Sequence, residues 1–231
     1  MTRIIGALQA RMGSSRLPGK AMRPLAGKPL VWHMIDRMRR ADCCEDLYLA
    51  TTTDPRNDPL VAFCAAEGLN IVREPAEDDL VARIHAVVAK SGADYVLKTG
   101  GDCPLIEPAV MRGMVDTAVR EQSDFCSNRV RWTFPMGLSC DVVSASAINW
   151  THANLTKPED RELFAVWIRD HPGQFTVTSY EQSENLSHHT WMVDTPEDYV
   201  WMQQVFDALY RPGKCFGMSD VLHYLETKQS P

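Results

Sequence analysis

The feature that most constrains the fold is an alternation of short apolar runs with amphipathic segments through the first half of the chain. Strands are predicted at Ile4–Leu8, Leu47–Thr51, Asn70–Val72, Asp94–Thr99 and Asp124–Ser127. Helices are predicted at Pro29–Arg40, Asp58–Glu67, Asp79–Ser91 and Pro108–Glu121. Because strands that alternate with helices are joined by crossover connections, this order predicts an α/β fold with a mainly parallel sheet.

The second half of the chain is less regular. Strands are predicted there at Cys140–Ser144, Phe175–Ser179 and Thr190–Val193, and helices at Ala145–Asn154, Pro158–Arg169, Pro196–Tyr210 and Ser219–Thr227. The sequence contains no repeat, no low-complexity tract and no linker-like segment. We therefore expect residues 1–231 to form a single domain.

Composition narrows the classes of protein to which the chain could belong. A net charge of −6 argues against a general nucleic-acid binder, and no apolar run approaches the ~18 residues of a membrane span. Seven cysteines without CxxC spacing indicate buried thiols rather than zinc ligands or disulfides, so a cytoplasmic protein is expected. Residues 1–40 nevertheless carry nine Lys or Arg and a single acid, Asp36, which suggests a local anion site.

The basic residues concentrate in the loop Gln9–Lys20, "QARMGSSRLPGK", which follows the first predicted strand. Open α/β sheets bind ligands at the carboxyl ends of their strands. Gly13 and the serines can turn backbone N–H groups toward an anion, and Arg11, Arg16 and Lys20 can neutralise a polyphosphate. The loop has neither Walker A nor GxGxxG spacing. The residues alone leave open a phosphate site or a basic, solvated turn.

Two acids are candidate metal ligands. Asp102 in "TGGDCPLI" follows a predicted strand behind two glycines, where it could reach a metal that bridges phosphates or could cap a turn. Asp194 precedes Thr195, which has the spacing of an N-cap in a capping box with Asp198. Helix-start chemistry explains Thr195 and Asp198 but leaves Asp194 unexplained.

Weaker signals lie at the ends of two other predicted strands. Thr51, Thr52 and Asp54 could line a base pocket, or could form a capped turn before the next helix. Lys98 could bind a phosphate or a substrate carboxylate, or could extend from a strand edge into solvent.

Several blocks of the sequence carry a family resemblance. The blocks are "QARMGSSRLPGKAMRPLAGKPLVWHMIDRM", "ATTTDPRNDPLV", "TGGDCPLI", "SN…FPMGL" and "WMVDTPEDY". They resemble, in the same order, the cytidylyltransferases that make CMP-sugars. The nearest resemblance is to the spore coat polysaccharide biosynthesis cytidylyltransferase-like family, and a more distant one is to 3-deoxy-manno-octulosonate cytidylyltransferase.

The resemblance implies a GT-A-like, Rossmann-like nucleotidyltransferase domain with helices on both faces of a mixed sheet. It implies transfer of CMP from CTP to a sugar acid by a homodimer, with residues 1–130 binding the nucleotide and 131–231 binding the acceptor and forming the dimer. It also implies Mg²⁺ held by Asp102 and Asp194, and catalytic roles for Arg11, Arg16, Lys20 and Asp102. The implied nucleotide contacts are Leu8, Ala10, Arg11, Gly13, Ser14, Arg16, Lys20, Thr51, Thr52, Lys98 and Gly101.

Two departures from the family pattern concern the acceptor. Family members typically read "FPDGLDVEV" where this chain has Phe134–Val142, so that Met136 and Ser139 replace acids while Asp141 keeps one. Leu163 stands where family members often have His. The two departures leave open a non-catalytic nucleotide-binding homologue. A GT-A-like glycosyltransferase that uses a finished nucleotide sugar is a separate alternative, although such enzymes often carry DxD acids and this sequence has no DxD motif. Trp191 and Trp201 are candidate dimer contacts.

Overall fold

A seven-stranded sheet forms the centre of the computed structural model, which describes residues 2–229. Its strands are β1 Ile4–Gln9, β4 Asp46–Thr52, β5 Asn70–Glu74, β6 Tyr95–Gly100, β7 Phe125–Ser127, β8 Asp141–Ser144 and β9 Val177–Ser179, and a separate two-residue pair is formed by β2 Pro24–Leu25 and β3 Lys28–Pro29. The strand order in the seven-stranded sheet is β5-β4-β1-β6-β8-β7-β9.

All neighbours in this sheet run parallel except at β8, which is antiparallel to both β6 and β7. The predicted mainly parallel, mixed sheet is confirmed. Gln9 at the end of β1 pairs with Ala50 of β4 and Gly100 of β6, so three strands end side by side. Because β8 runs the other way, its first residue, Asp141, lies at this same edge, opposite Lys98.

Helices cover both faces of the sheet. They are α1 Leu30–Ala41, α2 Asp58–Ala66, α3 Leu80–Ser91, α4 Pro108–Glu121, α5 Ala145–Asn154, α6 Pro158–Glu162, α7 Phe164–Arg169, α8 Pro196–Leu209 and α9 Met218–Gln229. Alternate side chains of β1 enter different cores: Ile4 and Leu8 pack with α1, α4 and α8, whereas Ile5 and Ala7 pack with α3, α5 and α7. This alternation is what a strand buried on both sides requires.

Two local predictions were wrong. Thr190–Val193 is not a strand, since Thr190 makes a single bridge to Met136. The helix predicted at Pro158–Arg169 is two short helices separated at Leu163, whose φ of −102° and ψ of 30° interrupt the helical path. The N-cap residue of α2 is Asn57, whose side chain makes tertiary contacts instead of a cap hydrogen bond.

The structure of residues 2–229 also addresses membrane-spanning helices and the state of the cysteines. Within residues 2–229, no helix is both long enough and apolar enough to cross a bilayer. All seven cysteines lie in this part of the chain and are free. Cys64, Cys103, Cys126 and Cys140 are the buried thiols that the sequence predicts, whereas Cys43 and Cys44 are half-buried and Cys215 is exposed.

The predicted capping box at the start of α8 is confirmed. Thr195 Oγ1 accepts a hydrogen bond from Asp198 N at 3.2 Å, and Asp198 Oδ2 accepts one from Thr195 N at 2.8 Å. Asp198 Oδ2 also accepts a hydrogen bond from Asp194 N at 3.0 Å. The box therefore fixes the backbone of Asp194 as well as the helix end.

Replacing Thr195 with Ala is expected to lower the free energy of unfolding by about 1 kcal/mol, because the first turn of α8 loses its side-chain acceptor. Thr195→Ser, which keeps the hydroxyl, is the matched control and should unfold close to wild type. Urea unfolding of the three proteins measures the difference. Equal midpoints for the Ala and Ser variants would contradict the cap.

Candidate active site

A cleft of about 340 Å³ opens at the edge of the sheet where β1 and β6 end. The loop that follows β1 forms one side of it. The lining residues are Gln9, Ala10, Arg11, Ser14, Ser15, Arg16, Lys20, Ala21, Glu77, Leu80, Arg83, Gly100, Gly101, Asp102, Glu162 and Asp194. The residues that the sequence singled out thus meet residues from α3 and α6.

Most of the predicted site residues line this cleft. They are Ala10, Arg11, Ser14, Arg16, Lys20, Gly101, Asp102 and Asp194. Leu8 is fully buried in the core, and Thr51 and Thr52 are also buried and do not line the cleft. Gly13 lies on the loop beside Glu77 without lining the cleft, and Lys98 lines a neighbouring cavity instead.

Lys20 is the centre of the cleft's polar contacts. Its ammonium donates to Asp102 Oδ2 at 3.0 Å, to the Val193 carbonyl at 3.0 Å and to Asp194 Oδ1 at 3.4 Å. Gly19, at a φ of 72°, directs the chain into the short turn that begins at Lys20. Three oxygens from two distant segments therefore converge on one cation.

The loop arginines also contact acids. Arg11 forms an ion pair with Glu77, and Arg16 forms one with Asp194. The Arg11 and Arg16 side chains are 40% and 67% exposed, and ion pairs this exposed contribute little stability. An anion of higher charge than a carboxylate can therefore take these guanidinium groups without a large loss of folding free energy.

A buried asparagine attaches the loop to the neighbouring strand. Asn57 Oδ1 accepts a hydrogen bond from Met12 N at 2.8 Å, and Asn57 Nδ2 donates to Thr52 Oγ1 at 2.7 Å. Asp54 caps the short 3₁₀ turn Pro55–Asn57 by accepting from Arg56 N. Of the two interpretations of this segment, the structure has the capped turn, and Thr52 supports the loop through Asn57.

Close backbone contacts bring Asp102 to the loop. Gly101 N donates to the Gln9 carbonyl at 2.7 Å, and a Cβ on Gly101 would lie 2.5 Å from Ala10 Cβ, so only glycine fits there. The Asp102 carbonyl in turn accepts from Val193 N at 2.8 Å. That hydrogen bond places Asp194 beside Asp102.

A second glycine holds the segment that carries Asp194. Trp191 N donates to the Met136 carbonyl at 2.6 Å, and Met136 N donates to the His189 carbonyl at 2.9 Å. Gly137, at a φ of 105°, would place a Cβ 2.5 Å from the carbonyl carbon of Trp191. The two segments therefore approach too closely for any larger residue at this position.

Arg83 is a cleft residue that the sequence analysis missed. It lies on α3, is 6% exposed, and donates from Nη2 to the Glu77 carbonyl at 2.9 Å. Its Nε has no hydrogen-bond partner among residues 2–229. Burial and the nearby Arg11 lower the pKa of its guanidinium, which still stays protonated near neutral pH. The sequence does offer a signal for Arg83, which is a basic residue that lies among the apolar residues of the helix predicted at Asp79–Ser91.

Beside the cleft lies a second cavity of about 250 Å³, which shares Gln9, Gly100 and Asp102 with it. Lys98 Nζ contacts Asp141 Oδ2 there at 2.8 Å, and Arg129 Nη2 contacts the same oxygen at 2.9 Å. Lys98 is 8% exposed on a central strand, so it does not extend from a strand edge into solvent. Burial would raise the pKa of the Asp141 carboxyl, but Lys98 and Arg129 outweigh burial and hold that pKa well below its ordinary value.

The chain is similar in sequence to known proteins. A family model described as cytidylyltransferase matches residues 5–209. The chain is 28% identical over 213 residues to the spore coat polysaccharide biosynthesis protein SpsF of Bacillus subtilis, covering 89% of this chain and 87% of that protein. It is 35% identical over 115 residues to the 3-deoxy-manno-octulosonate cytidylyltransferase of Syntrophobacter fumaroxidans, covering 49% of this chain and 46% of that one.

The fold has a solved counterpart in a cytidylyltransferase from Leptospira borgpetersenii. The two superpose with a TM-score of 0.93 at 23% identity, covering 100% of this chain and 96% of the other. The resemblance and the nucleotidyltransferase fold inferred from the sequence are both confirmed. Since the family model spans most of its length, the chain belongs to the cytidylyltransferase family.

Proposed function

We propose that the protein transfers CMP from CTP to a sugar acid and releases pyrophosphate, in the synthesis of a surface polysaccharide or glycoconjugate. The observation that carries the proposal is the convergence of Asp102 and Asp194 on Lys20, opposite a basic loop at the carboxyl end of β1. Family membership supports the nucleotide. The names of the two sequence relatives support polysaccharide synthesis and a sugar-acid acceptor.

The chain's own residues have separate tasks in this reaction. Arg11, Arg16 and Lys20 bind and neutralise the triphosphate, while Gly13 and Ser14 offer backbone N–H groups. A hydroxyl of the acceptor loses its proton to solvent and forms a bond to the α-phosphorus as the bond from that phosphorus to the β-phosphate oxygen breaks. The leaving pyrophosphate takes the electron pair and stays among the loop cations, whose charge stabilises it.

The donor set around Lys20 fits a divalent cation. Two carboxylates and one carbonyl oxygen lie within 3.4 Å of a single nitrogen, and hard oxygen ligands of this kind suit Mg²⁺. Within residues 2–229 no group of three or more His, Cys, Asp or Glu could hold a metal, but Mg²⁺ takes one or two carboxylates together with phosphates and water. Bound there, Mg²⁺ would neutralise phosphate charge. Asp102 and Asp194 are its proposed ligands, and Lys20 would then contact phosphate oxygens.

We propose that the nucleotide and the acceptor contact mainly different halves of the chain. Residues 1–130 supply most of the nucleotide contacts, and residues 131–231 supply the acceptor contacts, yet Asp194 and Glu162 of the second half line the cleft. We also propose a cytoplasmic homodimer. Trp191 is 1% exposed and unavailable for a dimer contact, whereas Val200 on α8 is 53% exposed and Trp201 beside it is half-buried.

Nucleotide selectivity distinguishes the proposal from a glycosyltransferase or a non-catalytic homologue. With Mg²⁺ present, CTP at 100 times its dissociation constant is expected to raise Tm by about 5 to 10 °C, more than UTP, GTP, ATP or UDP-sugars do. Thermal-shift assays and pyrophosphate release with sugar acids provide the two measurements. Preferential stabilisation by a UDP-sugar would instead indicate a glycosyltransferase, and CTP binding without turnover a non-catalytic homologue.

A further inference from the structure

Both oxygens of the Asp102 carboxylate accept hydrogen bonds, one from each of the two cavities. Lys20, which lines the cleft, donates to Oδ2 at 3.0 Å. Cys103, which lines the second cavity, donates from Sγ to Oδ1 at 3.4 Å. Resting on the proposed function, in which Asp102 is a metal ligand, we infer that Cys103 is a positioning residue. Its thiol holds Oδ1, leaves Oδ2 as the single ligating oxygen, and thereby favours Mg²⁺ over Ca²⁺.

The surroundings of Cys103 make its thiol a well-placed donor. The residue is 6% exposed and belongs to the hydrophobic core on the α1 and α4 side of the sheet. A thiol in apolar surroundings keeps its proton near neutral pH, so Sγ donates and the carboxylate accepts. The Cys103 carbonyl accepts from Ile106 N at 2.9 Å, which closes a turn directly after Asp102. An S–H group is a weak donor, and the charge of the acceptor strengthens this bond.

Gly100 provides the space that Oδ1 occupies. A Cβ on Gly100 would lie 2.7 Å from Asp102 Oδ1, too close for the carboxylate to keep its position. Gly100 is the last residue of β6, and its φ is not in the left-handed region. The carboxylate, and not the backbone conformation, therefore makes a larger residue unfavourable here. Cys103 and Gly100 place the same oxygen through two independent contacts.

A carboxylate with one free oxygen suits Mg²⁺ better than Ca²⁺. Mg²⁺ requires near-octahedral geometry and keeps several waters, whereas Ca²⁺ takes about six to eight oxygens and often binds both oxygens of one carboxylate. With Oδ1 held by the thiol, Asp102 offers only Oδ2, the oxygen that Lys20 contacts in the structure. Loss of a hydrogen bond that orients a metal ligand typically costs 10- to 100-fold in affinity or activity. Because the donor is a weak one, we expect about 10-fold.

Metal competition tests this selectivity without turnover. Wild type, Cys103→Ala and Cys103→Ser are titrated with Mn²⁺, which takes the same oxygen ligands as Mg²⁺, and then with Ca²⁺ as competitor, followed by electron paramagnetic resonance. The ratio of Mn²⁺ to Ca²⁺ affinity should fall about 10-fold in Cys103→Ala and recover in part in Cys103→Ser, which keeps a donor. Cys64→Ala, which shortens a buried side chain on α2 outside both cavities, is the matched control and should keep the wild-type ratio.

The two ways in which this experiment can fail are distinct. Equal ratios in wild type and Cys103→Ala overturn the inference, and so does a fall of equal size in Cys64→Ala. Failure of wild type to bind Mn²⁺ refutes the metal site of the proposed function instead, and the selectivity assigned to Cys103 falls with it.

The S–H stretching band of Cys103 gives a second measurement, which requires neither metal nor nucleotide. The infrared difference between wild type and Cys103→Ala isolates this band. Asp102→Asn should shift it to higher wavenumber, because an amide oxygen is a weaker acceptor than a carboxylate. Gly100→Ala, which displaces Oδ1 but keeps the thiol, should cause a similar shift and a similar loss of selectivity, so the test does not depend on Cys103→Ala alone. A band that stays in place in both Asp102→Asn and Gly100→Ala overturns the inference.

Discussion

Replacing Lys20 with Met is expected to lower kcat/KM for CTP by about 100- to 1,000-fold, the size of effect seen when a group that stabilises transition-state charge is lost. Lys20 is the residue on which Asp102, Asp194 and the Val193 carbonyl converge. The Met side chain keeps most of the lysine stem and removes only the cation. Pyrophosphate release with saturating acceptor measures the loss.

The same variant, which should lose activity, is expected to gain affinity for a divalent metal ion. The ammonium and a divalent ion compete for the same carboxylate oxygens, so Lys20→Met without nucleotide should bind Mn²⁺ more tightly than wild type. Electron paramagnetic resonance titration of free Mn²⁺ gives the affinity independently of turnover. Lys28→Met is the matched control, because Lys28 belongs to the same basic segment but is exposed and outside the cleft. Retention of more than a tenth of wild-type activity by Lys20→Met would contradict the role assigned to Lys20.

The second large effect is on stability. Asp141→Asn is expected to lower the free energy of unfolding by about 3 to 5 kcal/mol, because it leaves Lys98 and Arg129 without their buried counter-charge. Lys98 is itself 8% exposed and cannot recover full hydration. Urea unfolding measures the loss, and Asp170→Asn, at an exposed ion pair with Arg169, is the control.

The loss of unfolding free energy in Asp141→Asn should become smaller in acidic solution. The folded-state pKa of Asp141 lies below its unfolded value. The contribution of Asp141 to the free energy of unfolding is therefore complete above about pH 4 and is lost as the pH falls further. The difference between wild type and Asp141→Asn should therefore be constant from about pH 5 to 8 and shrink in more acidic solution. A difference that does not change with pH would contradict the ionised carboxylate. If the single variant does not fold, Asp141→Asn with Lys98→Met should recover part of the stability, since it removes the unpaired cation too.

Local sequence signals predicted the helices and strands whose bounds depend on nearby residues. The helix Pro108–Glu121 has its predicted bounds, since Pro108 suits a first turn and Gln122 adopts the left-handed conformation that ends the helix. Thr190–Val193 has an apolar pattern that reads as a strand, but its path depends on Met136 and on the close approach at Gly137. Both contacts are more than fifty residues away in the sequence, and periodicity does not report them.

The site residues also fall into two groups, those that local sequence signals predict and those that depend on tertiary packing. The glycine-rich basic loop and the acids at strand ends are visible because their chemistry follows predicted strands directly. Arg83 was missed because an arginine in an amphipathic helix is usually exposed, and Arg129 because nothing near it in the sequence marks a partner on β8. Thr51 and Thr52 are polar residues of the kind that lines binding pockets, but they are 0% and 3% exposed. Their burial depends on how the strand packs, which the local sequence does not show.

The separation in sequence between Lys20 and Asp194 has a consequence for synthesis on the ribosome. The contact joins residues 174 positions apart, and Val193 reaches Asp102 through a backbone hydrogen bond. At about 5 to 20 residues per second, a nascent chain therefore spends roughly ten seconds or more with the basic loop made but its second acid not yet translated. During that interval the emerging polypeptide holds Lys20 and Arg16 without Asp194. We expect nascent chains stalled before residue 194 to be unable to assemble this cleft, whatever the state of the first three strands.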